Sequence, residues 1–266
     1  MKHCHHCGTV LPGTARFCHQ CGQPQELQTY EESTVFEKEG SAEKGFIDSF
    51  FQILRKRVEE DFRSDQFQAY SELVYESGFR DTLYRRAAQH AEQPDEDAEP
   101  LLHHLLDYYI VHFCKKLNQV YFPEKILRYQ ELELESVDLF QMVLDYLDFA
   151  NESETVYTDF LTMPLEKLKN AGKFFLFPEK EERILLICDQ SFFGSCKEGF
   201  ALTEKAIYWK AYLQTARKVA FTELHKIKRE NEWITINGHF FNVNLSINLK
   251  LQMLLRKLKQ WHLVDS

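Results

Sequence analysis

The chain has 266 residues, 44% of them hydrophobic and 27% charged, with a formal net charge of −9 and seven cysteines. That length and apolar content exclude a chain that is disordered throughout, and they leave room for two compact domains plus a small appendage. No stretch approaches the roughly 18 consecutive apolar residues of a membrane helix, and the polar, His-rich N-terminus has no apolar region of a secretory signal, so a soluble cytoplasmic protein is expected.

The charge is unevenly spread: +2 over residues 1–25, −4 over 26–44, −13 over 45–163 and +6 over 164–266. The centre therefore repels polyanions, and only the C-terminal part has a balance that suits an acidic partner.

At the N-terminus, "CHHCGTVLPGTARFCHQCG" spans residues 4–22 and has the spacing Cys-x2-Cys-x10-Cys-x2-Cys. Cys4 with Cys7, and Cys18 with Cys21, each make a tight knuckle, and together they offer four thiolates to one tetrahedral ion. Gly8 and Gly22 stand where such a knuckle needs positive φ. The expectation is one structural Zn2+ held by Cys4, Cys7, Cys18 and Cys21. A four-thiolate site is closed and leaves no position for water, so the ion is not catalytic. His3, His5, His6 and His19 are not needed as ligands and are expected in solvent. Residues 1–25 resemble the short zinc ribbons at the N-termini of many bacterial proteins, "FCHQCG" closely, whereas "HCHHCG" lacks the proline common inside such turns. Four thiolates on a divalent ion contribute −2 and cancel Lys2 and Arg16, which disfavours nucleic acid as the ribbon's partner.

Residues 26–44 are polar and acidic and read as a flexible linker. From 45 to 155 the apolar spacing is helical, and a bundle of four or five helices is expected. Phe46, Phe50, Ile53, Leu54, Val58 and Phe62 form the first stripe. Further runs cover about 67–91, 101–118, 124–134 and 137–149, with "EQPDEDAEP" as an exposed loop. The last run has the stripe Val137, Phe140, Leu144 and Leu147 after a Ser136 cap. His103 and Asp107, four residues apart beside His104, are the one place in the bundle where a ligand or an enzyme site is conceivable, although no Glu-x-x-His or His-Glu-x-x-His motif accompanies them. His112 and Cys114 project to different sides and do not make a nucleophile pair. No glycine-rich phosphate loop and no Gly-x-Ser-x-Gly occurs, so an enzyme is not expected. Cys114, Cys188 and Cys196 lie in apolar surroundings and read as buried thiols.

From about Pro164 the vocabulary changes. "PLEKLKNAG" reads as a helix with Pro164 at its start and Gly172 at its end. Seven short β-rich runs follow at 183–188, 199–203, 206–210, 217–221, 225–229, 233–236 and 239–243, and Asn237-Gly238 marks a type I′ hairpin between the last two. A closing helix carries the stripe Ile247, Leu251, Leu254, Leu258 and Trp261, with Arg256, Lys257 and Lys259 expected on its exposed face.

The stretch "CDQSFFGSCKEGFALTEKAIYWK" (188–210), above all Gly194 to Lys210 with Gly199 and Thr203, is followed by "FTELHKI" and the closing helix. Residues 160–266 thereby resemble a bacterial pleckstrin-homology-like (PH-like) domain, a β-barrel capped by a helix. The resemblance implies a scaffold that binds peptides, proteins or lipid headgroups, without a catalytic set. Lys197, Lys210, Arg217, Lys218, Lys228 and Arg229 are its candidate ligand-binding residues, while Phe192 and Phe193 are expected in the barrel core rather than in an exposed loop. The fold class expected is multidomain α+β: zinc ribbon, helical bundle and PH-like barrel. The function expected is a non-enzymatic adaptor with protein partners, at a membrane surface or in a stress or defence assembly. A nucleic-acid-associated regulator and an enzyme in the bundle are the alternatives.

Overall fold

The computed structural model describes two dipeptides near the N-terminus, 2–3 and 10–11, and residues 41–264 apart from 63 and 94–96. The zinc-ligand cysteines Cys4, Cys7, Cys18 and Cys21 lie outside the described residues, as does the linker up to residue 40. Strands β1 (Lys2–His3) and β2 (Val10–Leu11) pair antiparallel, Lys2 opposite Leu11 and His3 opposite Val10.

Helix α1 (Ser41–Asp61) begins inside the expected linker and carries Phe46, Phe50, Leu54 and Val58 into the core, with Phe62 buried just beyond its end. The run at 67–91 is two helices, α2 (Phe67–Glu76) and α3 (Phe79–Ala91), because Ser77 takes an extended backbone between them. Helix α4 (Ala98–His112) stops six residues short of the expected end. Beyond it Asn118 folds back, donating to the Ile110 carbonyl at 2.8 Å and accepting from the Tyr70 hydroxyl at 3.1 Å. Only a 3-10 turn at Glu124–Tyr129 forms in the next expected helix. Helix α5 (Leu139–Leu147) is capped by Asp138, whose carboxylate accepts from the Gln141 amide, and not by Ser136. Its buried face is Met142, Val143, Tyr146 and Leu147, so the expected stripe is rotated and Leu147 alone of its four residues is fully buried.

All seven C-terminal strands form, and one more precedes them. Strands β3 (Thr155–Tyr157), β4 (Ile184–Asp189), β5 (Gly199–Thr203), β6 (Ala206–Lys210) and β7 (Arg217–Ala220) make an antiparallel sheet in that order. Strands β8 (Ile227–Glu230), β9 (Trp233–Ile236) and β10 (His239–Phe241) make a second antiparallel sheet. Asn237 and Gly238 take φ of 50° and 80°, the positive pair that the β9–β10 hairpin requires. Among the described residues the strands form two separate sheets and do not close into the expected barrel, because no ladder joins β7 to β8 or β3 to β10.

Both faces of the larger sheet are covered, which explains why β4, β5 and β6 read as unbroken apolar runs and not as alternating ones. Leu186, Cys188, Phe200, Leu202, Ile207 and Trp209 face the main core. Ile187, Ala201, Ala206 and Tyr208 face a smaller cluster under helix α6 (Leu165–Phe174), with Ala171, Phe175 and Leu176. Pro164 precedes α6 as expected, but the helix runs past Gly172 to Phe174.

Helices α1–α5, both sheets and the closing helix α7 (Leu245–Val264) contribute to one continuous core. The expected stripe of α7 is buried, and so are Leu249, Met253 and Leu255 on its other sides. A helix buried all round must satisfy its polar residues internally. Lys250 meets Glu152 at 2.7 Å, and the Asn248 side chain accepts from the Val243 amide at 2.9 Å and donates to the Glu232 carbonyl at 2.7 Å. The charges expected in solvent are turned inward instead. Lys257 is buried and Arg256 and Lys259 are half-buried, because their partners come from α1, from Gln130 just after the Glu124–Tyr129 turn and from the β7–β8 connection.

Candidate functional site

A chain of buried charges links the helices to α7. Arg57 of α1 pairs with Asp61 one turn on, at 2.8 Å, and with Asp107 of α4. Arg256 of α7 pairs with Asp61 and, at 2.8 Å, with Glu60. Burial works against the Arg256 charge, but these two carboxylates outweigh it and raise its pKa. Asp107 also accepts from the Gln130 side chain at 2.9 Å, and the Gln130 carbonyl accepts from the Lys257 ammonium at 2.9 Å.

Above this network lies an open cleft of about 690 Å³, framed by Glu99, His103, His104, Glu131, Lys257 and Trp261. His103 and His104 both line it, as their sequence suggested. Burial holds both imidazoles below their ordinary pKa, assisted by Arg57 at His103 and by Lys257 at His104, so both are neutral at pH 7. Burial likewise depresses Lys257, against the pull of Asp107 and Glu133. Asp107 is not available to orient a base, because Arg57 and Gln130 occupy both its oxygens. The cleft therefore offers hydrogen-bonding groups and an aromatic face with an acidic rim. A nucleophile, base and orienting group in series are not assembled among these residues.

His112 lies 3.4 Å from Glu124 while Cys114 is fully buried, so the two are separate as expected. Burial raises the thiols of Cys114 and Cys196 to about 12 and that of Cys188 further, which keeps all three protonated. Among the described residues no three His, Cys, Asp or Glu side chains converge on a common point as metal ligands.

The six basic residues are divided between the sheets. Lys197 lies exposed in the β4–β5 loop, its ammonium 5.7 Å from the Phe174 ring. Lys210 ends β6 and pairs with Glu198 at 3.2 Å. Arg217 and Lys218 open β7 opposite Trp209 and Tyr208, and Lys218 pairs with Glu179 at 3.1 Å. Lys228 and Arg229 are neighbours on β8 and so face opposite ways. Lys228 pairs with Glu230 at 2.9 Å, whereas Arg229 is buried and donates to the Gln119 side chain at 3.0 Å. Arg217 and Lys218 likewise alternate along β7, and Arg229 is set inside.

Phe192 and Phe193 correct another expectation. They are 92% and 90% exposed at the tip of the β4–β5 loop and are not core residues. Sequence reasoning favours the core for any aromatic pair beside apolar strands, and only the local turn chemistry of Asp189, Ser191 and Gly194 signals otherwise. No family model, curated protein or solved structure matches this chain.

Proposed function

We propose that the chain is a non-enzymatic adaptor in which an N-terminal zinc ribbon and a C-terminal PH-like module engage protein partners. The observation that carries this reading is the C-terminal arrangement: eight antiparallel strands in two sheets followed by one long helix packed against them. Polar side chains there are largely consumed in internal pairs, as Glu182 is by Thr203 and Tyr208. Such an interior holds a scaffold in one shape and leaves the loops to make contacts.

The ribbon reading rests on donor chemistry and on one ladder. In the sequence Cys4 and Cys7 lie between β1 and β2, which pair antiparallel. Cys4, Cys7, Cys18 and Cys21 would hold the ion, which supplies a structural crosslink to a segment with too few residues to bury a core.

Zinc content and partner capture test the reading together. Full-length protein should carry one zinc per chain, and Cys4→Ser with Cys21→Ser should lose it. Extracts of the native host should yield a protein retained by the full chain and lost on deletion of residues 1–25. Undiminished zinc in the double variant sinks the ribbon, and identical retention without residues 1–25 sinks its adaptor role.

A further inference from the structure

The β4–β5 loop, Gln190 to Glu198, is built with unusual care for a hairpin connection. The Asp189 carboxylate accepts from the amides of Ser191 at 2.9 Å and Cys196 at 3.1 Å, bracing both ends of the loop from inside. The Ser191 hydroxyl accepts from the amides of Lys197 at 2.8 Å and Glu198 at 3.2 Å. The Gly194 amide returns to the Ser191 carbonyl at 2.9 Å, closing a turn in which Gly194 has φ +62°. From outside, the Asn170 amide of α6 donates to the Ser195 carbonyl at 2.8 Å, and Gln190 donates to the Asn242 carbonyl at 3.0 Å. Cys196, also at positive φ, is turned down into the small core under α6.

All this order holds Phe192 and Phe193 outward. The rings touch only edge to face, with centroids 4.9 Å apart, and they keep 92% and 90% of their surface in water. Folding gains almost nothing from them, since neither ring leaves water. A rigid loop that displays two apolar rings is adapted to a surface met after folding.

The surroundings identify that surface. Three lysines lie in the loop or on α6, and one of them is already paired: Lys167 donates to the Tyr157 hydroxyl at 2.6 Å and meets Asp189 at 3.6 Å. The Lys167 ammonium would lie 3.6 Å from a Cβ at Gly194. Lys173 and Lys197 each place an ammonium 5.7 Å from the Phe174 ring. Of the cations in residues 164–266, Lys173 and Lys197 stand exposed on this side, whereas Arg229, Lys250 and Lys257 are buried elsewhere. Apolar rings at a tip with ammonium groups behind them match the layering of a bilayer with an anionic surface: rings at the acyl boundary, cations at the phosphates. We propose that this loop is a membrane-docking wedge for anionic bilayers, with Phe192 and Phe193 inserted and the exposed Lys173 and Lys197 at the headgroups. This goes beyond the adaptor reading and stands without the ribbon.

The test is sedimentation of the full-length protein with vesicles of 70% phosphatidylcholine and 30% phosphatidylglycerol, and with pure phosphatidylcholine, at about 0.1 M salt. Wild type should favour the anionic vesicles. Phe192→Ser with Phe193→Ser should lower that affinity about a hundredfold, roughly tenfold per ring removed from the apolar layer. Both rings are exposed, so the double variant should melt like wild type, which separates lost docking from lost folding. Phe192→Trp should keep binding, and its fluorescence should be quenched by lipids brominated on the acyl chains. Lys173→Glu with Lys197→Glu should abolish the preference for anionic over neutral vesicles. Failure of wild type to sediment with anionic vesicles overturns the proposal, and the loop is then a contact for a protein. Equal binding by the double serine variant overturns it as well.

Discussion

Lys250→Met isolates the contribution of the charge pair that fastens α7 to the segment between α5 and β3. The side chains of Lys250 and Glu152 keep only 4% and 7% of their surface in water and meet at 2.7 Å. Glu152 also accepts from the Ser246 hydroxyl at 2.6 Å and from the Asn244 amide at 3.2 Å. Burial pushes the Glu152 carboxyl up, but Lys250, Ser246 and Asn244 more than offset that and hold it below its ordinary 4.5. Removing one partner of a buried pair costs about 3–5 kcal/mol, and the two surviving hydrogen bonds place this variant near the lower end, at about 3 kcal/mol at pH 7.

The pH dependence is the sharper test. In wild type the folded pKa of Glu152 is depressed, so its stabilisation is complete above 4.5 and is lost as pH falls through the lower folded value. Lys250→Met leaves burial opposed only by Ser246 and Asn244, so the folded pKa of Glu152 should rise and protonation should relieve the variant as the pH falls. Urea unfolding at pH 7 and pH 4 should therefore show the difference between the two proteins shrinking in acid. The double variant Lys250→Met with Glu152→Gln should recover part of the loss at pH 7. A pH-independent difference, or one below about 0.5 kcal/mol, would refute the reasoning.

Gly199→Ala should cost about 4 kcal/mol or abolish folding, because Gly199 has φ +146° and a Cβ there would lie 2.0 Å from the Cys188 carbonyl oxygen; thermal melts check it. His103 and His104 have depressed folded pKa values, so their contribution is full above the ordinary 6.5 and is lost as pH falls below it; His103→Gln with His104→Gln should flatten the stability profile between pH 6.5 and 5. A chain ending at residue 244 should lose cooperative melting in its helical part too, since α7 supplies Leu251, Leu254 and Leu258 to the common core; a residual helical transition would refute this.

The strands were legible because each is a short β-branched or aromatic run between turn residues, and because Asn237-Gly238 admits few other readings. β3 was not, since three residues on the fringe of a helical segment carry no period, and their partner β4 begins 27 residues later. The stripe of α1 was legible for the opposite reason: a 21-residue helix repeats its signal five times. In nine-residue α5 the same inference chose the wrong face, because apolar residues lie on several sides and tertiary packing selects among them. Lys257 and Arg256 looked like solvent charges because nothing near them in sequence pairs with them. Their partners are Gln130 and, almost two hundred residues earlier, Glu60 and Asp61.

The placement of α7 changes what a ligand at either end of the molecule is expected to do. Had the helical part and the sheets been separate bodies on a tether, docking the β4–β5 loop would leave the histidine cleft untouched. Here α7 touches both sides: Asn248 is fixed to the β8–β9 turn through the Glu232 carbonyl and to the β10–α7 connection through Asn242. Asn242 in turn holds Gln190 at the base of the loop. Three turns along the same helix, Lys257 and Trp261 line the cleft. A helix with polar partners on both sides cannot shift at one end without breaking buried hydrogen bonds at the other, so the two sites share a rigid element and not a flexible path. Amide exchange along α7 should accordingly report one cooperative unit, with Asn248 and Lys257 opening together. Independent opening of its two ends would show that the shared core does not join them.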